Sequence, residues 1–242
     1  MDFLSKFKNI SQKNNSLLCI GLDQADYDFN KKIIDQTADL VCAYKPNSAF
    51  YEAQGISGIE SLKKTCDYIN SLAIPIILDA KRADIDSTNQ GYIKFAFDYL
   101  GADSLTLHPY LGRQALQPFL DLADKFFFIL CRTSNPGAGE FQDYHQLFEK
   151  VAENVSKNWN SNNNCGLVTG ATYPEELKKI RKIVGSMPLL IPGIGAQGAD
   201  LEKTVKAALD GDFLINSSRG IIFSDNPRQA AKKLKEEINE YH

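Results

Sequence analysis

Between residues 76 and 86 the chain reads IILDAKRADID, which sets Asp79, Lys81 and Asp84 within six positions, directly after an apolar run. Side chains of an extended strand alternate, so Ile77, Asp79 and Lys81 are expected on one face and Leu78 and Ala80 on the other. Opposite charges are then stacked where the strand ends, with Asp84 opening the loop that follows. A second lysine, Lys45 in AYKPNSAFYE, ends another strand-like run on the face of Ala43 and is expected to meet Asp79. The resulting Lys-Asp-Lys-Asp alternation is neutral without a metal, and its carboxylates favour the protonated form of Lys81. A lysine held charged is a proton donor. The competing reading is structural, an ion pair beside a helix capped by Asp84, Asp86 or Ser87.

A second cluster lies in PGIGAQGADLEKTVKAAL, where Gly193, Gly195 and Gly198 satisfy G-x-G-x-x-G between a strand and a helix. A dinucleotide site would want this unit early in the chain and an acidic residue at the end of the next strand. The next strand ends instead in NSSRG, with Arg219. Glycine amides at a helix start together with one arginine form a phosphate cradle. The alternative is that the glycines only allow a tight turn.

The elements that must position these residues follow a rhythm. Eight short apolar runs, LLCIGLD, LVCAYKPN, IPIILDAK, SLTLHPY, FFFILCRTS, CGLVTGAT, PLLIPGIG and FLINSSRG, alternate with segments of helical spacing such as GIESLKKTCDYINSL, QGYIKFAFDYLG and YPEELKKIRKIVG. Several of those segments close on glycine, as helices commonly do. Eight strand-helix units in 242 residues match an α/β architecture of the TIM-barrel type, (β/α)8, as a single domain over residues 1–242. The rival is a doubly wound open sheet. Nearly every run ends in a polar cluster, including Asp23, Lys45, Asp79 with Lys81, Thr133 with Ser134, and Ser217 with Arg219. A closed barrel gathers all of these on one face, whereas an open sheet would use mainly those at its switch point. Of the longer connections, RTSNPGAGEFQDYHQ is expected to be mobile and a candidate lid, and KNWNSNNNCG a solvent-exposed loop.

Composition narrows the function classes. With 27 basic and 30 acidic residues and no long single-sign block, the chain shows no footprint for nucleic acid or an anionic membrane. The N-terminal apolar run is too short to span a bilayer and has no small-residue cleavage site, so a cytoplasmic protein is expected. Cys19, Cys42, Cys66, Cys131 and Cys165 form an odd set without C-x-x-C and read as small hydrophobes in a packed interior. His108, His145 and His242 form no catalytic pair, and His108 is expected to be neutral and hydrogen-bonded near the barrel mouth.

Asp79, Lys81, Asp84 and Thr88 spell D-x-K-x-x-D with a threonine four residues on. Together with KPNSAFYE, RTSNPGAG, GATYPEEL and PGIGAQG, this pattern resembles the orotidine 5'-phosphate decarboxylase family in its bacterial-type subgroup. The resemblance implies a homodimeric barrel that converts orotidine 5'-monophosphate to UMP and carbon dioxide with no cofactor and no metal. It implies further that Asp23 and Lys45 bind ribose hydroxyls, while Lys45, Asp79 and Lys81 form the charged network beside the scissile carboxylate. Asp84 and Thr88 would come from the partner subunit. Ser134 would contact the pyrimidine amide, and Gln197 and Arg219 would hold the phosphate, with Gly195 allowing close backbone approach.

The residues suit that chemistry. Loss of carbon dioxide from a pyrimidine ring carbon leaves a vinyl-type carbanion, which Lys81 could both protonate and stabilise electrostatically. A sugar-phosphate lyase of the same barrel suprafamily would need a carboxylate to hold magnesium where Lys45 stands, and an ammonium repels the ion. A non-catalytic nucleotide-binding barrel and a protein-interaction scaffold are the remaining alternatives. Nothing is missing from the site to suggest the first, and no apolar surface stripe or basic patch suggests the second.

Overall fold

The computed structural model describes residues 1–194 and 199–242. Within them the eight apolar runs form strands: β1 (Leu18–Leu22), β2 (Ala43–Pro46), β3 (Ile77–Arg82), β4 (Ser104–Leu107), β5 (Phe126–Arg132), β6 (Cys165–Thr169), β7 (Leu189–Pro192) and β8 (Phe213–Ser217). Their order is β2-β1-β8-β7-β6-β5-β4-β3, and every recorded pairing is parallel. The ring closes between β2 and β3 through parallel bridges from Tyr44 to Ile76 and from Asn47 to Asp79. Because β1 pairs with β8, the sheet has no switch point, and the open-sheet alternative falls. The architecture is the (β/α)8 barrel.

Strand parity builds two apolar layers. Cys19, Ala43, Ile77, Phe126, Phe128, Val168, Leu190 and Leu214 fill the barrel interior. Their sequence neighbours Leu18, Ile20, Leu78, Phe127, Ile129, Leu167, Leu189 and Ile215 pack outward against the helices. Gly166 on β6 is opposite Phe128 on β5. A side-chain carbon there would lie 2.6 Å from the Pro188 carbonyl oxygen and 2.9 Å from the Phe128 ring, so only glycine leaves the edge-to-face pair Phe126 and Phe128 room. All five cysteines are buried and free, and burial pushes the Cys19, Cys66 and Cys165 thiols up to about 12.

Two features escaped the sequence reading. The helix Phe3–Asn14 carries Phe3, Phe7 and Ile10 on one buried face, and it seals the N-terminal end of the barrel by stacking Phe3 on Phe126 at 4.9 Å. The asparagine-rich connection is also more than an exposed spacer. Asn164 is only 3% exposed and donates to the carbonyls of Leu120 and Leu122, each at 3.1 Å. Asn160 accepts the Cys165 amide at 2.9 Å, so two asparagines supply the polar ends that begin β6. No helix among the described residues is long and apolar enough to cross a membrane.

Candidate active site

At the C-terminal mouth of the barrel the Asp79 carboxylate receives three donors. Lys45 Nζ reaches Oδ2 at 2.6 Å, Lys81 Nζ reaches Oδ1 at 2.5 Å, and the Thr106 hydroxyl reaches the same Oδ1 at 3.0 Å. The side chains of Lys45 and Asp79 are 7% and 10% exposed, while that of Lys81 is 48% exposed. Burial alone would push the Asp79 carboxyl up, but the two ammonium groups override it and hold the carboxyl well below the usual carboxylate range. Burial likewise works against the charge on Lys45. Asp79 outweighs it, and the Lys45 ammonium is held above its ordinary value.

Simple strand alternation accounts for Asp79 but not for Lys81. The β3–β4 register shifts between Leu78 and Arg82, and Lys81 has φ of +48°, a left-handed conformation unusual for a residue with a side chain. Its amide donates to the Thr106 hydroxyl at 2.9 Å. Lys81 thus faces Asp79 across a bulge rather than along a regular pleat. The structural alternative for this stretch holds only in part. Asp79 is ion-paired, but the helix Asp86–Ile93 has Ile85 at its N-cap and no side-chain cap, so Asp84, Asp86 and Ser87 do not cap it.

Lys45, Asp79, Lys81 and Ser134 share the lining of one cavity of about 380 Å³. The opposite wall is apolar and comprises Leu130, Val168, Leu190 and Pro192, with Thr133, Asn135 and Gln142 at the rim. The connection after β5, expected to be a mobile loop, is built from short helical turns at Pro136–Ala138, Gly139–Gln142 and Tyr144–Gln146. Buried Arg132 anchors it by pairing with Asp143 at 2.7 Å, donating to the Thr133 carbonyl at 2.8 Å and stacking on Tyr173 at 3.8 Å. Gln142 accepts the Thr133 amide at 2.8 Å. Gly170 at the end of β6 lets Ser134 approach, since a side-chain carbon there would meet the Ser134 backbone at 2.7 Å.

Of the other expected site residues, Asp23, Asp84, Thr88 and Arg219 do not line this cavity. Asp23 directly follows β1 and accepts the Ser218 hydroxyl at 2.6 Å. Arg219 is exposed, one residue further on, and makes no ion pair among the described residues. Asp84 and Thr88 do not line the cavity of their own chain. The Asp84 turn is held by Asn89, which accepts the Asp84 amide at 2.9 Å and donates to its carbonyl at 2.6 Å. Gly195, Gln197 and Gly198 fall outside the described residues. The His108 side chain makes no hydrogen bond among the described residues, contrary to expectation, and its backbone amide donates to Arg82 at 3.2 Å.

Sequence reasoning missed Thr106, Arg132, Gln142 and Ser218. Thr106 was within reach, because in SLTLHPY it shares parity with Ser104 and His108 and is therefore directed inward near the mouth. Nothing in the sequence pairs Arg132 with Asp143 or Ser218 with Asp23.

Residues 16–234 match the family model described as Orotidine 5'-phosphate decarboxylase / HUMPS family. An orotidine 5'-phosphate decarboxylase of Herpetosiphon aurantiacus is 48% identical, over 96% of this chain and 94% of the relative. The solved Leishmania donovani OMP decarboxylase is 38% identical with a TM-score of 0.93, covering 100% of this chain and 98% of that one. The Leishmania donovani UMP synthase is 40% identical with a TM-score of 0.95, and this chain, covered in full, spans 56% of its length.

Proposed function

The chain belongs to the orotidine 5'-phosphate decarboxylase / HUMPS family, and from that membership we propose that Lys81 protonates the ring carbanion formed when orotidine 5'-monophosphate loses carbon dioxide, without a cofactor. The enzyme is a carboxy-lyase whose activity serves UMP synthesis in pyrimidine biosynthesis. The observation that carries the mechanistic reading is the single Asp79 carboxylate shared by a buried Lys45 and a half-exposed Lys81, facing an apolar wall.

In this reading the pyrimidine ring lies against Leu130, Val168 and Leu190, with its carboxylate toward Asp79. Two like charges at ~4 Å near a protein surface repel by about 4 kcal/mol, a strain that departure of carbon dioxide relieves. The ammonium of Lys81 then meets developing negative charge in a site of low polarity, where a fixed charge acts strongly. Both Asp79 oxygens are engaged by donors, which leaves that carboxylate little to offer a metal. Lys45 would repel one, and this argues against the magnesium-dependent sugar-phosphate alternative.

Substrate contacts extend the reading. Asp23 and Lys45 bind the ribose hydroxyls, Ser134 the pyrimidine amide, and Gln197 and Arg219 the phosphate, with Gly195 allowing its approach. Asp84 and Thr88 complete the site of a partner subunit in a homodimer, and one barrel domain supplies all the rest. Ile85, directly after Asp84, and Tyr110, 87% exposed, are large apolar side chains open to burial against a second copy. Five free buried thiols suit a reducing cytoplasm.

The test is loss of absorbance as purified protein converts orotidine 5'-monophosphate with a chelator present. Lys81→Ala should abolish turnover yet still bind UMP. Near-normal turnover by that variant would remove Lys81 as the proton donor.

A further inference from the structure

We propose that Thr106 is a positioning residue for the decarboxylation, setting Lys81 against Asp79 by bonding to the backbone of one and the carboxylate of the other. The inference rests on the reading of Lys81 as proton donor. Its basis is a closed ring of contacts. The Lys81 amide donates to Thr106 Oγ1 at 2.9 Å, that hydroxyl donates to Asp79 Oδ1 at 3.0 Å, and Lys81 Nζ returns to the same oxygen at 2.5 Å.

The direction of each bond is dictated by chemistry. An amide N–H can only donate, so the hydroxyl accepts there and its one proton is free for the carboxylate. The register shift in β3 takes the Lys81 amide out of the strand ladder, and Thr106 gives it a partner. A non-glycine residue at positive φ persists only where its surroundings over-determine it, and Lys81 at +48° is held from both its backbone and its ammonium. Thr106 is 1% exposed, so bulk water does not replace its hydroxyl if that is removed. Thr106 lines the cavity beside Asp79 and Lys81, and its hydroxyl is committed to those two residues.

Thr106→Val keeps the branched shape and deletes the hydroxyl, and Thr106→Ser keeps the hydroxyl. Turnover of orotidine 5'-monophosphate, KM, calorimetric UMP affinity and thermal melting are measured for both, beside Lys81→Ala. Thr106→Val should bind UMP within about three-fold of the parent and lose about 100-fold in kcat, the scale on which small misplacements of reacting groups act. Thr106→Ser should recover most of that loss. A Thr106→Val enzyme with parental kcat beside an inactive Lys81→Ala overturns the role of Thr106 and leaves Lys81 in place. So does a serine variant as slow as the valine one, or a fall in kcat no larger than the fall in UMP affinity. An active Lys81→Ala overturns the proton-donor reading itself. If the valine chain does not fold, Thr106→Ala replaces it against Thr106→Ser, with the same ordering required.

Discussion

Replacing Lys45 by methionine and Asp79 by leucine, singly and together, separates what the buried pair does for stability from what it does for chemistry. The two side chains are 7% and 10% exposed and 2.6 Å apart, so either single change takes a charged partner from a charge that water hardly reaches. Breaking such a pair by removing one partner costs about 3 to 5 kcal/mol. Lys45→Met belongs near the lower bound, because Asp79 keeps Lys81 and the Thr106 hydroxyl. Asp79→Leu belongs near the upper bound, because the Lys45 ammonium makes no other hydrogen bond among the described residues. With a urea slope of about 3 kcal/mol/M for a chain of this size, the two midpoints should fall by about 1 and 1.7 M.

Leucine copies the branched outline of aspartate and methionine the length of lysine, so the double variant exchanges a charged pair for an apolar one of similar volume. Such exchanges are often neutral or stabilising. Two costs remain: the Thr106 hydroxyl loses its acceptor, about 1 kcal/mol, and Lys81 loses its carboxylate, which costs little because its side chain is half exposed to water, so the double variant should unfold within about 0.5 M urea of the parent. All three variants should fail to turn over orotidine 5'-monophosphate in the absorbance assay. Single losses that simply sum in the double variant would refute the compensation argument, and turnover by the double variant would take the pair out of the chemistry.

The same double variant is the reference for pH. The Asp79 carboxyl titrates below its ordinary ~3.9, so its contribution is complete above that value and is lost as pH falls through the folded range. Lys45 titrates above its ordinary ~10.4, so its contribution is lost as pH rises through the folded range. The stability difference between parent and double variant should therefore be level from about pH 5 to 9 and change only beyond, and a step near neutrality in urea titrations would contradict this. Arg219→Ala should weaken orotidine 5'-monophosphate by about 1.5 to 3 kcal/mol and spare orotidine, and an equal loss for both would remove Arg219 from the phosphate site. Mixing inactive Lys81→Ala and Asp84→Ala chains under subunit exchange should restore roughly a quarter of parental sites, since half of randomly paired isologous dimers are mixed and each holds one intact site. No recovery despite demonstrated exchange would assign Asp84 to its own subunit's site.

The elements of this barrel are legible in its sequence wherever a ladder is regular. In β5 the period of two separates Phe126 and Phe128 from Phe127 and Ile129, and the first pair fills the interior while the second packs on the helices. Glycine likewise ends helices where expected, as Gly185 does at φ of +59° after Pro174–Val184. The meeting of Lys45 with Asp79 follows from the same parity on adjacent strands. What the pattern could not carry depends on partners distant in sequence. Arg132 is an ordinary strand end until Asp143 and Tyr173 fold over it. The asparagines before β6 read as solvent-facing until Leu120 and Leu122 present carbonyls to one of them.

Lys81 marks the boundary between these two kinds of information. Parity predicts its direction only while the strand stays in register, and the register breaks between Leu78 and Arg82. A regular strand could also have held a lysine, but parity would then send it the way of Asp79 and into the same layer. The bulge lets Lys81 keep half its side chain exposed to the cavity while its ammonium still reaches Asp79 at 2.5 Å. A proton donor needs both conditions, access to the substrate and a carboxylate to orient it. The irregular backbone is a local rule broken where the chemistry is proposed to occur, and a hydroxyl on the next strand holds it in place.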